Sequence, residues 1–158
     1  ASGRQGPRRS IAAASPTAEV RAALGDADVI VLAPSNPVVS IGAILSVPGI
    51  AEAVRTSPAP VVGVSPVIAG KALRGMAEQC LAALAVPPTA AGIALHYGSR
   101  SEGGLIDGWL VAEEDRGDII ELAAAGIVTE AVPLLMTDEA TAAALASAAV
   151  GLAQRSRS

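Results

Sequence analysis

The chain has 158 residues, a formal net charge of −4 and an aromatic content of only 1%. One domain is the natural count at this length, and such a domain buries roughly 68–70% of its unfolded surface. Residues 11–154 hold fifteen acidic against six basic side chains, which with so few aromatics argues against a nucleic-acid groove. One cysteine, Cys80, and one histidine, His96, rule out a disulfide framework, a thiolate zinc site and a multi-histidine metal centre.

Residues 1–14, with Arg4, Arg8 and Arg9, read as a tail or truncated edge. Ser15-Pro16 is a cap and first-turn pair for a helix that Gly25 stops. Val29 to Leu32 follow Asp28 without alternation, predicting a strand over 29–33 covered on both faces, as in a parallel sheet. Pro34 and Pro37 end its pairing, with Ser35 and Asn36 between them at the strand's carboxyl end, the edge where open α/β sheets bind ligands. Ser40 and Gly42 fall where a helix N-terminus presents free N–H groups to an anion. Pro48-Gly49 precedes a short helix near 50–56.

Val61 to Val64 forms a second buried strand, closed by Ser65-Pro66. Gly70, Lys71, Arg74 and Gly75 then read as a glycine-bounded basic loop before a helix over about 75–85. Lys71 is the only lysine, placed where a phosphate-binding cation is expected. Cys80 lies in that apolar helix as a buried, inert thiol. Pro87-Pro88 separates it from a helix over 89–97, capped by Thr89 and stopped by Gly98. A strand over 105–112, a helix near 118–125 ending at Gly126, a strand over 127–132 and a helix over 138–153 capped at Thr137-Asp138 complete the body. Residues 154–158 are a second tail.

Strands alternating with helices predict an α/β fold: a three-layer, doubly wound, mostly parallel, Rossmann-like sheet, here a partial domain spanning 15–153. Its core must be built from Val, Ile, Leu and Ala, since there is no Phe, one Trp and one Tyr. That composition predicts modest stability for the isolated chain. Asp107, in an apolar strand beside Trp109, needs a partner and reads as structural. Glu113, Glu114, Asp115 and Asp118 read as a solvated turn, His96-Tyr97 as packing or subunit contact, and Arg100 as a surface charge. The apolar runs are broken by Pro and Gly, so no membrane span is read and the cytoplasm is the expected compartment.

Five segments together carry a resemblance: ADVIVLAPSNPVVSIGAILSVPGI, APVVGVSPVIAGKALRGMA, HYGSR at 96–100, LIDGWLV at 105–111 and PLLMTD at 133–138. The chain resembles, from about Ser15 to about Leu152, the family of 2-phospho-L-lactate transferases and the similar phosphoenolpyruvate transferases of actinobacteria, which act in coenzyme F-420 biosynthesis. HYG, PLLMTD and the alanine-rich composition look most like the actinobacterial branch. Ala69 stands where the family usually has glycine, and Met76 where many members have proline. The chain starts at Ala1 and reaches APSNP within 40 residues, without the family's opening glycine-rich strand–loop or the aspartates tied to metal and deazaflavin. The expectation is the C-terminal half of such an enzyme, as a fragment, split subunit or degraded gene product.

The resemblance implies transfer of a phospholactyl or phosphoenolpyruvyl group from a guanosine-diphosphate-linked donor to the ribityl hydroxyl of the deazaflavin Fo, with GMP leaving. It implies Mg2+ as cofactor, and a homodimer or pairing with the missing N-terminal half. Catalytic and metal-binding groups are expected on that half. Donor-binding groups expected here are Ser35, Asn36, Pro37, Ser40, Gly42, Ser65, Gly70, Lys71, Arg74 and Gly75. The alternative is a non-catalytic nucleotide-sugar-binding regulator of the sister family, whose turn is richer in glycine than APSNP. A nicotinamide-dependent oxidoreductase would need G-x-G-x-x-G after the first strand, which the chain lacks. A structural remnant without activity is the fourth reading.

Overall fold

The computed structural model describes residues 11–72 and 77–157. After a single 3-10 turn at Ile11–Ala13, helix α1 spans Ala18–Asp26 and strand β1 Ile30–Leu32. Helices α2 (Ile41–Leu45) and α3 (Ile50–Thr56) lead to β2 (Val61–Val64). A short hairpin, β3 (Val67–Ile68) and β4 (Lys71–Ala72), precedes α4 (Ala77–Ala83) and α5 (Ala90–Tyr97). Strand β5 (Gly108–Val111), α6 (Ile119–Ala124), β6 (Val128–Ala131) and the long α7 (Glu139–Arg155) follow.

Four strands form one all-parallel sheet in the order β1-β2-β5-β6. The fold class is therefore α/β, a parallel four-stranded sheet flanked by helices, as a partial Rossmann-like domain has. Strand order advances in one direction only, without the reversal of a complete doubly wound sheet.

Burial on both faces explains the unbroken apolar runs of β2 and β5, in which every residue is buried. Alternate residues divide between two cores. Val61, Trp109 and Val111 join Val54, Leu81, Ile93, Leu122 and Ile127 on one face. Val62, Val64 and Leu110 meet Leu145, Ala149 and Leu152 of α7 on the other.

The two central strands are registered by one contact. Gly63 stands directly beside Trp109 in the parallel ladder. A Cβ on Gly63 would lie 2.3 Å from the indole Cζ3. The absent side chain is thus the space the largest buried residue occupies. Trp109 is 1% exposed, and its Nε1 has no acceptor among the described residues. Tyr97 packs on it with ring centroids 5.9 Å apart, and burial pushes the Tyr97 phenol well above its ordinary value of 10.0.

At the amino end of the sheet, Asp107 Oδ2 accepts from the Val61 N–H at 2.7 Å. Its Oδ1 lies 3.4 Å from Arg100 Nε, and Arg100 donates to the Ala59 carbonyl at 2.8 Å. Asp107 is structural, as its apolar setting predicts. Arg100 is not the surface charge expected but the partner that makes this partly buried carboxylate tolerable.

Several boundaries differ from the sequence reading. The cap of α1 is Thr17, whose side chain accepts from Val20 N, so the helix starts past Ser15-Pro16. Gly25 lies inside α1 rather than ending it, because the chain turns extended only at Ala27. The strand read over 105–112 is regular only at 108–111, since Leu105 and Ile106 donate to the turn at Gly98. Residues 113–118 are a 3-10 helix, so α6 starts at Ile119. The caps at Thr89, Gly98 and Asp138 stand as read: Thr89 accepts from Gly92 N, Gly98 has φ +72, and Asp138 forms a reciprocal capping box with Thr141.

Replacing Gly63 by Ala should force Trp109 or the β2–β5 register to move. The expected cost is about 1–3 kcal/mol, read as a lower denaturant midpoint with a red-shifted emission from the only tryptophan. An unshifted spectrum with unchanged stability would mean that the contact is not close.

Candidate functional site at the carboxyl edge of the sheet

The chain leaves β1 through Ala33-Pro34-Ser35-Asn36-Pro37. Ser35 N donates to the Ala33 carbonyl at 2.7 Å, a tight three-residue turn. Asn36 organises the segment leading into α2. Its Oδ1 accepts from Val38 N at 2.9 Å and Val39 N at 3.1 Å. Its carbonyl accepts from Ser40 N at 3.2 Å and Ile41 N at 3.0 Å, while Gly42 N donates to the Pro37 carbonyl at 3.0 Å. Asn36 therefore acts as the cap of this turn.

This overturns the expectation of free amides from Ser40 to Gly42, because those N–H groups are already donated within the turn. Gly42 has a steric reason instead: a Cβ there would lie 2.7 Å from the Pro37 carbonyl oxygen. Pro37 is buried beneath the turn, and Ser40, at the start of α2, makes no side-chain cap bond.

A cavity of about 520 Å³ opens at the carboxyl ends of the strands. Pro34 and Asn36 wall it after β1, Pro66 after β2, Leu134, Leu135 and Met136 after β6, and Ala77 at the start of α4. Asn36, expected at the strand's carboxyl end, lines this crevice. The Leu134–Met136 wall was missed as a site. The signal for it was positional, since PLLMTD follows a parallel strand at the ligand-binding edge. Leu135 and Met136 are 56% and 53% exposed, unusual for such large apolar side chains.

Ser65 closes on itself. It is fully buried, and its Oγ donates to the Val67 carbonyl at 2.9 Å and accepts from Val67 N at 3.2 Å. Gly70 and Lys71 lie on a β-hairpin and not in an open loop. Two-residue strands carry too little periodicity to be read in sequence. The tip, Ala69-Gly70, has φ of +49 and +70, the pair of left-handed residues that a tight hairpin turn requires. Lys71 opens the second strand and is exposed. Arg74, Gly75 and Met76 lie outside the described residues.

The hairpin tip is held by an acidic side chain from the segment after β5. Ala69 N donates to Asp115 Oδ2 at 3.0 Å. Burial pushes the Asp115 carboxyl above its ordinary value of 3.8; the Ala69 bond opposes this, and repulsion from Asp118 and Glu114 adds to it. Asp118 Oδ2 accepts from Ala91 N at 3.0 Å at the start of α5, and Glu113 pairs with Arg116. The acidic run is thus a set of tethers and not simply a solvated turn. Among the described residues no three His, Cys, Asp or Glu side chains come together as a metal site.

A second crevice, of about 320 Å³, lies on the helical face and is bordered by Gly42, Arg55, His96, Tyr97 and Leu105. Cys80 is half-buried in α4, less enclosed than expected.

The family profile of the 2-phospho-L-lactate transferase CofD matches residues 6–146. The chain is 51% identical over 140 residues to the phosphoenolpyruvate transferase of Mycobacterium avium (strain 104), covering 89% of this chain and 40% of that protein. It is 54% identical over 144 residues to the phosphoenolpyruvate transferase of Streptomyces griseus subsp. griseus, covering 91% of this chain and 44% of that one. The chain thus spans about two fifths of the length of the relatives it matches.

Ala69→Gly should relieve the left-handed strain of a residue with a Cβ. The expected gain is about 0.5–1 kcal/mol after the entropic cost of glycine, measured by denaturant unfolding. Asp115 supplies a pH test. A carboxyl whose folded pKa lies above its unfolded value contributes stability at low pH that is lost as pH rises through the folded value. Asp115→Asn, which keeps an acceptor for Ala69, should therefore gain stability relative to the parent between pH 3.8 and neutrality. Parallel stability–pH curves for the two would contradict this.

The matches place the chain in the 2-phospho-L-lactate transferase CofD family, to which it belongs.

Proposed function

We propose that this chain forms the donor-holding part of an enzyme that moves a phosphoenolpyruvyl or phospholactyl group from a guanosine-diphosphate-linked donor to the ribityl hydroxyl of the deazaflavin Fo, releasing GMP, in coenzyme F-420 biosynthesis. The observation that carries this reading is the crevice at the carboxyl edge, where the APSNP turn and the PLLMTD segment of the family resemblance meet. Relatives named phosphoenolpyruvate transferase favour the enolpyruvyl donor.

The attacking hydroxyl must approach the phosphorus in line with the departing phosphate of GMP. The chemistry needs positioning and neutralisation of charge on adjacent phosphates, and no covalent nucleophile. Among the described residues the walls of the crevice are uncharged: prolines, leucines, an alanine, a methionine and the Asn36 amide. Such walls suit a flat heteroaromatic ring, guanine or deazaflavin, with Asn36 Nδ2 as a directional donor. The diphosphate then falls to the segment between two crevice residues, Pro66 and Ala77, which carries Lys71 and Arg74. Ser65 and Gly70 shape the described part of that segment, and Pro37, Ser40 and Gly42 fix the turn that presents Asn36. Base, metal ligands and remaining charge neutralisation belong to the part of the enzyme outside this chain. A homodimer and a cytoplasmic setting accompany this reading.

Calorimetric titration with GDP and Mg2+, with a UDP-sugar as contrast, tests the proposal. Saturable GDP binding, weakened about tenfold or more by Lys71→Ala (about 1.4 kcal/mol), is the expected result. Selective UDP-sugar binding would replace the transferase by a regulator. GDP affinity unchanged by Lys71→Ala in the enzyme reconstituted with its remaining part would remove Lys71 from the site.

A further inference from the structure

Resting on the reading of the carboxyl-edge crevice as the ring-binding part of a donor site, we propose that Asn36 is its specificity-determining residue. The side chain is locked with Nδ2 outward, so it admits a purine that presents a ring carbonyl and turns away one that presents an amino group in its place.

The run Pro34-Ser35-Asn36-Pro37 leaves Asn36 little backbone freedom, because Pro37 fixes its own φ and restricts the residue before it. Hydrogen bonds then fix the side chain. Oδ1 accepts from Val38 N at 2.9 Å and from Val39 N at 3.1 Å, which fills both lone pairs of an amide oxygen. The backbone carbonyl of Asn36 accepts from Ser40 N and Ile41 N. Both oxygens of the residue are thus spent on the turn.

That occupancy decides which way the amide faces. Flipping it would set the NH2 group against two backbone N–H donors and strand both of them. Nδ2 therefore keeps the outward position. It has no hydrogen-bond partner among the described residues, and unlike Trp109 Nε1 it is not enclosed. It faces the crevice that Asn36 lines. The other side chains on that wall belong to proline, alanine, leucine and methionine, and carry neither nitrogen nor oxygen. Among the described residues Asn36 supplies the one polar side chain there.

An apolar wall grips any purine by its faces and distinguishes none of them. Discrimination needs a contact at the ring edge, where the two common purines differ in sign. Guanine presents O6 and N7, both acceptors, whereas adenine presents N7 and the N6 amino donor. Nδ2 can donate to O6. Opposite N6 it meets a second donor, and two N–H groups are left facing each other away from water. An amide free to flip would serve either base. Asn36 is not free, because Val38 and Val39 hold its oxygen. The same bonds that cap the turn make the crevice selective.

Calorimetric titration of the chain with GDP, inosine diphosphate and ADP, each with Mg2+, tests this role. Inosine diphosphate keeps the ring carbonyl of guanine and lacks only its exocyclic amino group. It should bind within about threefold of GDP, and ADP about tenfold or more weakly than GDP. The Asn36→Asp variant is isosteric, keeps an oxygen for Val38 and Val39 N–H, and exchanges the outward donor for an acceptor. Its thermal midpoint should be unchanged. The added charge weakens GDP and ADP alike, so the readout is the ratio of their affinities, which should move toward ADP by about tenfold or more. Equal binding of GDP and ADP by the parent, a loss with inosine diphosphate as large as with ADP, or a ratio unmoved by Asn36→Asp would each overturn the role of Asn36. In those cases GDP affinity that still falls in Lys71→Ala would leave the donor site itself standing. A parent chain that binds none of the three diphosphates would remove the purine from the crevice, and the donor site and the role of Asn36 with it.

Discussion

The fit of the Trp109 indole over Gly63 is the constraint on which the rest of the structure depends. A protein without phenylalanine has one large buried side chain with which to set the spacing between its sheet and its helices. That side chain lies over the one residue of β2 that has no Cβ. Parallel strands slide easily in register unless side chains forbid it, and here a slip of one residue would drive the ring into Val62 or Val64. With β2 and β5 locked, the carboxyl ends of three strands come level, and the turns after β1, β2 and β6 meet around one crevice.

Much of this arrangement was legible in the residues. Val61–Val64 carries no alternation, and a strand buried on both faces needs none. Val29–Leu32 reads the same way, but it is not covered on both faces: Ile30 is half-buried and Val31 is 45% exposed, because β1 lies at the edge of the four-stranded sheet. Thr89, Gly98 and Asp138 announce helix ends by local hydrogen-bond chemistry that tertiary structure did not override. Misreadings came where two local solutions compete. Thr17 and Ser15 are both competent caps, and the choice between them rests on where the helix packs. The hairpin at 67–72 is too short for any periodicity to register.

The candidate site was legible by position more than by mechanism. Asn36 lines the crevice, but the amides after it, assigned to a ligand, are taken within the turn by Asn36 and Pro37. A short polar residue between two prolines serves equally as ligand contact and as turn cap, and sequence alone does not separate the roles. Ser65 shows the same ambiguity resolved wholly toward structure. Leu134 to Met136 escaped notice as site residues because apolar side chains look like core until their exposure is known.

Charge sets the terms for the proposed donor site. No charged residue lines the crevice among the described residues, and the chain's only lysine stands on a hairpin tethered to Asp115. Under the proposed reading a site for two adjacent phosphates therefore leans on Lys71 and Arg74, against the field of fifteen carboxylates on the same chain.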